Sequence, residues 1–369
     1  MRYVKKLISV FLVAAIVVSV IVVSTVSFDA VSKVTYGDFV FAVTGDETLM
    51  VYSYIGEETE VDLPRKAGNK TVTGIYSSCF ENSSIEAVNI PDSYTSIGSF
   101  AFSGCENLTF VKLPAMLSSI GTMAFYGCKN LENVDFQYVI FTEAIPFAAF
   151  SGCEKLSEVV IPDCVKSLGD SAFSGCKNLS DVTLSDKIKT IPEYAFYGCD
   201  SLASINLPPE LTVIEEGAFK DCALLSDVEL PRYLTTIGAE AFMNDTSLTE
   251  LFIPYSVTSI GPNAFAPMSY QNTIEITCFE NSYAEKYCYE NSVSNCVSVD
   301  GLVGDVNNDG EVTILDVSFI QKYLNKDYEI ESPVLQLLAD VNKDGTITIR
   351  DATLIQMYLA HYYDSLDEI

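Results

Sequence analysis

Apolar positions recur along the middle of this chain with a period longer than any single helix or strand produces. Phe80, Phe102, Phe125, Phe150, Phe173, Phe196, Phe219, Phe242 and Phe265 fall 22 to 25 residues apart, and all but the first follow alanine. Asp163 to Ser185 reads DCVKSLGDSAFSGCKNLSDVTLS, and Asp186 to Pro208 reads DKIKTIPEYAFYGCDSLASINLP. Each unit holds two short apolar alternations, such as Val165/Leu168 and Leu179/Val182/Leu184, separated by a small-residue AFxGC segment and closed by proline or a polar turn. The alternations predict short strands, and the fixed period predicts that each unit is one coil of a solenoid. A lone coil cannot bury Val182 and Leu184, whereas stacked coils bury them in continuous apolar ladders. A phenylalanine present at one phase of every coil points inward and is core.

The pattern changes at both ends. Residues 34 to 70 include TGDETLMVYSYIG, a predicted hairpin that caps the first coil, and FENSYAEKYCYENS from Phe279 reads as a short helical cap at the other end. Within each LxxVxI segment, the residues flanking the central apolar one point outward. One such column is Ala87, Phe110, Asn133, Glu158, Asp181, Ser204, Asp227 and Glu250; the other is Asn89, Lys112, Asp135, Val160, Thr183, Asn206, Glu229 and Phe252. Acid prevails toward the C-terminal coils, a solvated face that would also steer a basic protein partner. One coil is two residues longer: after Asp135 the chain reads FQYVIFTEAIPFAAF, with Gln137 in place of the closing proline. Insertions in solenoids map to surface loops, so Phe136, Tyr138, Phe141 and Phe147, with Phe110 and Phe252 from the columns, are candidate aromatic anchors of a recognition surface. The alternative is that the added bulk packs inward.

From Gly304 the pattern is different. DVNNDGEVTILD, Asp305 to Asp316, returns thirty-five residues later as DVNKDGTITIRD, Asp340 to Asp351. Oxygen side chains at loop positions 1, 3, 5 and 12, with glycine at 6 for the sharp turn, supply what a hard cation with six to eight oxygen ligands requires. Calcium is the ion expected, two per chain. Asp305, Asn307, Asp309 and Asp316 would bind one, with Glu311 lending its carbonyl and Thr313 near the ninth position. Asp340, Asn342, Asp344 and Asp351 would bind the other, with Thr346 and Thr348 in the corresponding places. Carboxylates crowded on one short loop repel by about 1 kcal/mol per pair at 4 Å even in water, so the ion is expected to be needed for folding. After each loop, Val317/Ile320/Leu324 and Ala352/Ile355/Leu359 are spaced for one face of a helix, while no helix precedes the first loop.

Composition narrows the chemistry. Twenty-one Lys and Arg against fifty Asp and Glu leave a net charge of −29, which sets nucleic acid aside as a partner. The single histidine, His361, leaves no room for a Ser-His-Asp triad or a His-rich zinc site. Arg2, Lys5 and Lys6 precede an uncharged, mostly apolar run from Leu7 to Phe28, the pattern of an export leader, cleaved after Ser27 or retained as an anchor. Eleven cysteines in an exported chain ordinarily mean disulfides. Here Cys105, Cys128, Cys153, Cys176, Cys199 and Cys222 recur three positions after a phenylalanine, so their Cβ vectors run parallel and they are expected to be free buried thiols. Cys278, Cys288 and Cys296 lie outside that ladder, and a disulfide between two of them is open.

The repeats resemble leucine-rich repeats of the BspA type, whose pattern LTSIGxxAFxGCxxLxxVxIP runs here from about Val72 to Cys278. Residues 303 to 364 resemble the type I dockerin, a duplicated loop-helix module that attaches proteins to cohesins of cellulosome scaffoldins. The resemblance implies a leucine-rich-repeat solenoid followed by a small all-α dockerin. The expected organisation is a signal peptide at 1–27, an N-terminal capping hairpin at 28–70, repeats at 71–278, a C-terminal cap at 279–296, a linker at 297–303 and the dockerin at 304–369. It also implies that loop positions 10 and 11 and helix positions 18 and 22 meet the cohesin: Ile314, Leu315, Lys322 and Lys326 in the first half, and Ile349, Arg350, Met357 and His361 in the second. Ser and Thr at the paired loop positions, common in that family, are absent. The function expected is a secreted, non-catalytic cellulosome component. Its repeats would present a surface to an unidentified protein or carbohydrate in support of polysaccharide degradation, and only its leader would meet a membrane. The alternatives are a glycoside hydrolase, which needs paired carboxylates about 5 to 9 Å apart, and a cell-surface adhesin. The absence of tryptophan, the usual sugar-stacking residue, weighs against the hydrolase.

Overall fold

A computed structural model of the chain describes residues 31–136, 138–266, 274–280, 282–291, 293, 295–299, 302–307, 311–330, 333–363 and 365–366. The leader expected at 1–27 lies outside the described residues, as do Gln137 and Asp309. Strands Lys33–Tyr36 (β1), Phe39–Val43 (β2) and Thr48–Tyr54 (β3) form an antiparallel meander, and β3 pairs in parallel with Lys70–Ile75 (β4). The expected hairpin is β2–β3, and the meander covers what would be an open sheet edge at the first coil.

Two rows of short parallel strands then run along a solenoid of about ten turns. One row contains Glu60–Asp62, Ala87–Asn89, Phe110–Lys112, Asn133–Asp135, Glu158–Val160 and Asp181–Thr183 in a single sheet. The other holds two-residue strands such as Ser119–Ile120 and Val213–Ile214. Coils pair at equal phase, Val111 opposite both Val88 and Val134, so like residues stack in columns. The alternation then decides the faces: Val159 and Val182 are buried, and their neighbours Glu158, Val160, Asp181 and Thr183 are exposed.

The nine phenylalanines form one continuous stack inside. Successive ring centroids lie 5.1 to 5.8 Å apart, with interplanar angles of 4° to 15°. Each buried ring contributes about 1.5–3 kcal/mol through area removed from water, with a further stacking term of roughly 0.5–1.5 kcal/mol per pair. Beside them the six ladder thiols are free and buried, and each donates to the phenylalanine carbonyl one coil upstream, from Cys105 to Phe80 at 2.9 Å through Cys222 to Phe196 at 3.1 Å. That bond holds the sulfurs parallel, in accord with the expectation from their spacing.

The turn around each phenylalanine passes through left-handed backbone twice. Two residues after it stand Gly104, Gly127, Gly152, Gly175 and Gly198, or Asn82, Asp221 and Asn244, all at positive φ, the residue types that tolerate it. Two residues before it stand Ser78, Phe100, Met123, Ala148, Ser171, Tyr194, Glu240 and Asn263, also at positive φ, with glycine only at Gly217. A second glycine class reflects close approach: a Cβ on Gly121 would collide with the Ser99 amide of the preceding coil.

Two expectations need correction. Phe136 is buried, edge-on to Phe150 with centroids 6.0 Å apart. It occupies the strand-closing apolar phase held by Leu113 and Ile161 in adjacent coils, so its ring belongs to the core and not to the inserted surface. The linker expected at 297–303 begins inside the sheet. Glu250–Ile253 (β5), Glu275–Phe279 (β6) and Cys296–Val299 (β7) form a three-stranded parallel sheet, which places 297–299 in the C-terminal cap. The cap helix, Tyr283–Glu290 (α1), starts at Ser282, whose hydroxyl accepts from the Glu285 amide at 3.2 Å.

The C-terminal region has its own core, built from Val306, Val317, Ile320, Ile330, Val341, Ala352 and Ile355. Ile314–Leu324 (α2) and Ile349–Leu359 (α4) are the two helices expected. A short helix between them, Pro333–Ala339 (α3), precedes the second loop and was not expected. Among the described residues no helix is long and apolar enough to cross a membrane.

Candidate functional site

The two acidic loops are built identically at their exits. Thr313 caps α2 and Thr348 caps α4, each in a capping box with the aspartate three residues on, Asp316 and Asp351. Asp316 gathers four donors: its Oδ1 accepts from the Val306 and Asn307 amides at 2.8 and 3.2 Å, and its Oδ2 accepts from the Thr313 amide and hydroxyl at 2.8 and 3.2 Å. Asp351 accepts from the Asn342 amide at 3.1 Å and from the Thr348 amide and hydroxyl at 2.9 and 3.0 Å. The twelfth-position acid thus ties the loop entrance to the helix start in both halves.

In the second loop, Asp340 accepts from the Asp344 and Gly345 amides at 3.2 and 2.9 Å. Asp344 accepts from the Thr346 hydroxyl at 2.9 Å and from the Asn342 amide group at 2.9 Å. Burial pushes the Asp340 carboxyl above its usual range, and the Thr346 hydroxyl holds the exposed Asp344 below it. Gly345, at loop position 6, has φ +98°, which a side chain would strain.

Chemically the loops fit a hard divalent ion. Four of the five buried acids among the described residues are Asp305, Asp316, Asp340 and Asp351, positions 1 and 12 of the two loops. Buried carboxylates are costly unless a cation or several donors compensate them. Asn307, Glu311, Thr313, Asn342, Thr346 and Thr348 stand on the same loops. Among the described residues no group of three Asp, Glu, His or Cys side chains stands ready to hold an ion. The loop's own amides and hydroxyls engage several of the oxygens instead, and an ion bound there would replace some of those donors. One partner comes from afar: Arg232 of the repeats forms an ion pair with Asp340, donates to the Tyr233 hydroxyl at 2.7 Å and lies over the Tyr233 ring. A cleft of about 980 Å³ separates the repeats there from Tyr323, Gln336 and Gly345–Ile347. This pairing had no signal in the local sequence, because its residues are 108 positions apart.

The residues expected to meet a cohesin are largely outside. Ile314 and Leu315 are 59% and 55% exposed and Ile349 is 61% exposed. Lys322, Lys326, Arg350 and His361 are exposed and Met357 is half-buried. Lys322 lies over the Phe319 ring at 5.3 Å, which keeps its charge on the first-half face.

On the repeats, Phe110, Tyr138, Phe141 and Phe147 are exposed, and Lys112 sits over the Tyr138 ring at 5.4 Å. Phe252 is half-buried and packs edge-on against Phe279 of the cap, 5.5 Å between centroids. The exposed Ile140 was missed, although it lies within the same insertion.

A parallel solenoid of leucine-rich-repeat architecture, closed by a module of two acidic loop-helix units, defines a repeat protein with a docking tail. The BspA type leucine-rich repeat family matches residues 73–176 and 143–271, and the dockerin type I domain matches residues 303–360; the chain belongs to the BspA-type leucine-rich repeat family and carries a type I dockerin. Among solved structures it is similar to a leucine-rich cell surface protein of Faecalibacterium prausnitzii A2-165, at 28% identity over 67% of this chain and 76% of that one, with a TM-score of 0.54. It is also similar to a leucine-rich repeat protein of T. pallidum, at 29% identity over 53% of this chain and 91% of that one, with a TM-score of 0.49. No curated protein matches it. Type I dockerins bind calcium and imply a cohesin partner, and neither module is typically catalytic. Together the two modules point to an extracellular or cell-surface protein.

Proposed function

We propose that this chain is a secreted, non-catalytic cellulosome component: its dockerin, loaded with two calcium ions, binds a scaffoldin cohesin, and its repeats present a recognition surface that supports polysaccharide degradation. The division into leader (1–27), N-terminal cap (28–70), repeats (71–278), C-terminal cap and dockerin (304–369) follows this reading, with residues 297–299 counted in the cap. The observation that carries it is the duplicated pair of buried acids, Asp316 and Asp351, each holding a helix start that projects exposed aliphatic residues. Asp305, Asn307, Asp309, Glu311, Thr313 and Asp316 hold the first ion; Asp340, Asn342, Asp344, Thr346, Thr348 and Asp351 hold the second.

The first half, Ile314, Leu315, Lys322 and Lys326, is the cohesin-binding half in this reading. It offers two adjacent apolar side chains with a cationic rim, whereas Arg350 interrupts the apolar pair of the second half and its loop lies beside the repeats. Pull-down by a panel of cohesins in calcium, abolished by EDTA, is the result expected. Charge reversal at Lys322 and Lys326 should weaken it; loss of binding on changing Arg350 alone would assign the contact to the second half, and indifference to calcium would overturn the proposal. Phe110, Tyr138, Phe141 and Phe147 are the repeat-surface candidates, to be screened against polysaccharides and secreted proteins. Release of reducing sugar by the pure protein would instead favour the hydrolase.

A further inference from the structure

Ten of the eleven cysteines fall into two chemically different sets, Cys79 being a buried thiol of the first coil outside both. Seven of them, the six of the ladder and Cys164, donate to a backbone carbonyl of the preceding coil. Burial pushes the deepest of the ladder thiols well up, which removes the thiolate needed for exchange. The C-terminal cap is built otherwise. Parallel pairing of β6 with β7 sets Ile276 opposite Cys296 and Cys278 opposite Ser298, so Cys278 and Cys296 are diagonal neighbours on one face. Their sulfurs lie 3.7 Å apart. Cys288, on the buried face of α1, is in hydrogen-bond contact with both.

We propose that Cys278 and Cys296 are an oxidisable pair that closes a disulfide across the C-terminal cap while the ladder cysteines and Cys288 stay thiols. The oxidant is a low-molecular-weight disulfide such as cystine. Cys296, the partly exposed member, attacks it as a thiolate, giving a mixed disulfide and releasing one small thiolate. Cys278, fully buried, then attacks the Cys296 sulfur and expels the second small thiolate, so two protein thiols are exchanged for one protein disulfide and two small thiols. The hydrogen bond from Cys288 does most to hold Cys278 below the usual thiol range, and it remains after Cys296 has entered the mixed disulfide and lost its own proton. Forming a bond of about 2.05 Å requires the sulfurs to approach by roughly 1.7 Å. β7 can supply this movement because, among the described residues, it is the outer strand of its sheet and pairs with β6 alone.

The full-length protein is incubated with cystine, denatured without reductant, alkylated and weighed. It should carry two labels fewer than a control reduced before alkylation, and peptide mapping should join Cys278 to Cys296. Cys288→Ser should still lose two labels, and Cys296→Ser should lose none. An undiminished label count in the wild type, a bridge mapped to Cys288 or to any ladder cysteine, or an equal loss in Cys296→Ser would overturn the assignment.

Discussion

Truncation of a central rung, Phe173→Ala, tests the load carried by the phenylalanine stack. The ring is fully buried, with Phe150 and Phe196 at 5.5 and 5.7 Å on its two faces. Removing a buried phenylalanine costs about 3–5 kcal/mol through lost transfer energy and the cavity left behind, and here two stacked pairs disappear with it. Solenoid stability is a sum of coil and interface terms, so the loss falls on two neighbouring interfaces and weakens the coupling between the halves. The terminal rung, Phe265, has one stacked neighbour, Phe242, and an edge contact from Tyr287. Urea unfolding followed by far-UV circular dichroism should show Phe173→Ala destabilised by about 3–5 kcal/mol with a broadened or split transition, and Phe265→Ala affected less, with a single transition. A loss below about 1 kcal/mol for Phe173→Ala, or equal losses at the two sites, would refute the reasoning.

Asp316→Asn keeps one acceptor oxygen but turns an amide toward the Thr313 N–H, leaving a donor unsatisfied at a cost of about 1–3 kcal/mol. Calorimetric calcium titration should lose about tenfold or more in affinity at one site, while Thr313→Ser, which keeps the hydroxyl that caps α2 and bonds Asp316, should keep both binding events. Asp245 stands where the seventh ladder thiol would be. Its Oδ1 accepts from the Cys222 amide at 2.9 Å, its Oδ2 has no partner among the described residues, and burial pushes its carboxyl well up. A folded-state value raised above the unfolded one means that stability is greatest below the ordinary carboxylate range of about 3.9 and falls as pH rises through the folded value. Asp245→Asn should therefore be more stable than wild type at pH 8 by about 1 kcal/mol and lose that advantage by pH 4, as read by urea titration. Arg232→Ala removes a cation from the ion pair with Asp340, so calcium affinity at the second loop should rise; an unchanged titration would exclude competition.

The solenoid and its inward ladders were legible because each unit repeats the same residues at the same phase, and stacking multiplies that signal coil by coil. Phe136 stands in a local crowd of aromatics that looks like a surface cluster, yet its phase relative to Leu113 and Ile161 marks it as inward. The left-handed turn after each phenylalanine is written in Gly, Asn and Asp; the one before it is not, since Phe100, Met123 and Tyr194 adopt it under the constraint of neighbouring coils. Helix α3 spans too few residues for a periodic signal, and only Pro333 at its start advertises it. The calcium loops were readable because their spacing is contained in twelve contiguous residues. The bonds that Thr313 and Thr348 donate to Asp316 and Asp351 form a local T-x-x-D capping pattern whose residues were expected only as ligands, while Arg232 and the trio of cap cysteines depend on chain brought together over distance.

The constant offset between rings makes the repeat region a ruler. Adding or deleting a whole unit leaves every thiol-to-carbonyl bond and every stacked pair in phase, and it moves the far end by one graduation of 5.1 to 5.8 Å. The span between the inserted coil around Tyr138 and the C-terminal cap is therefore adjustable in fixed increments, with both ends unchanged.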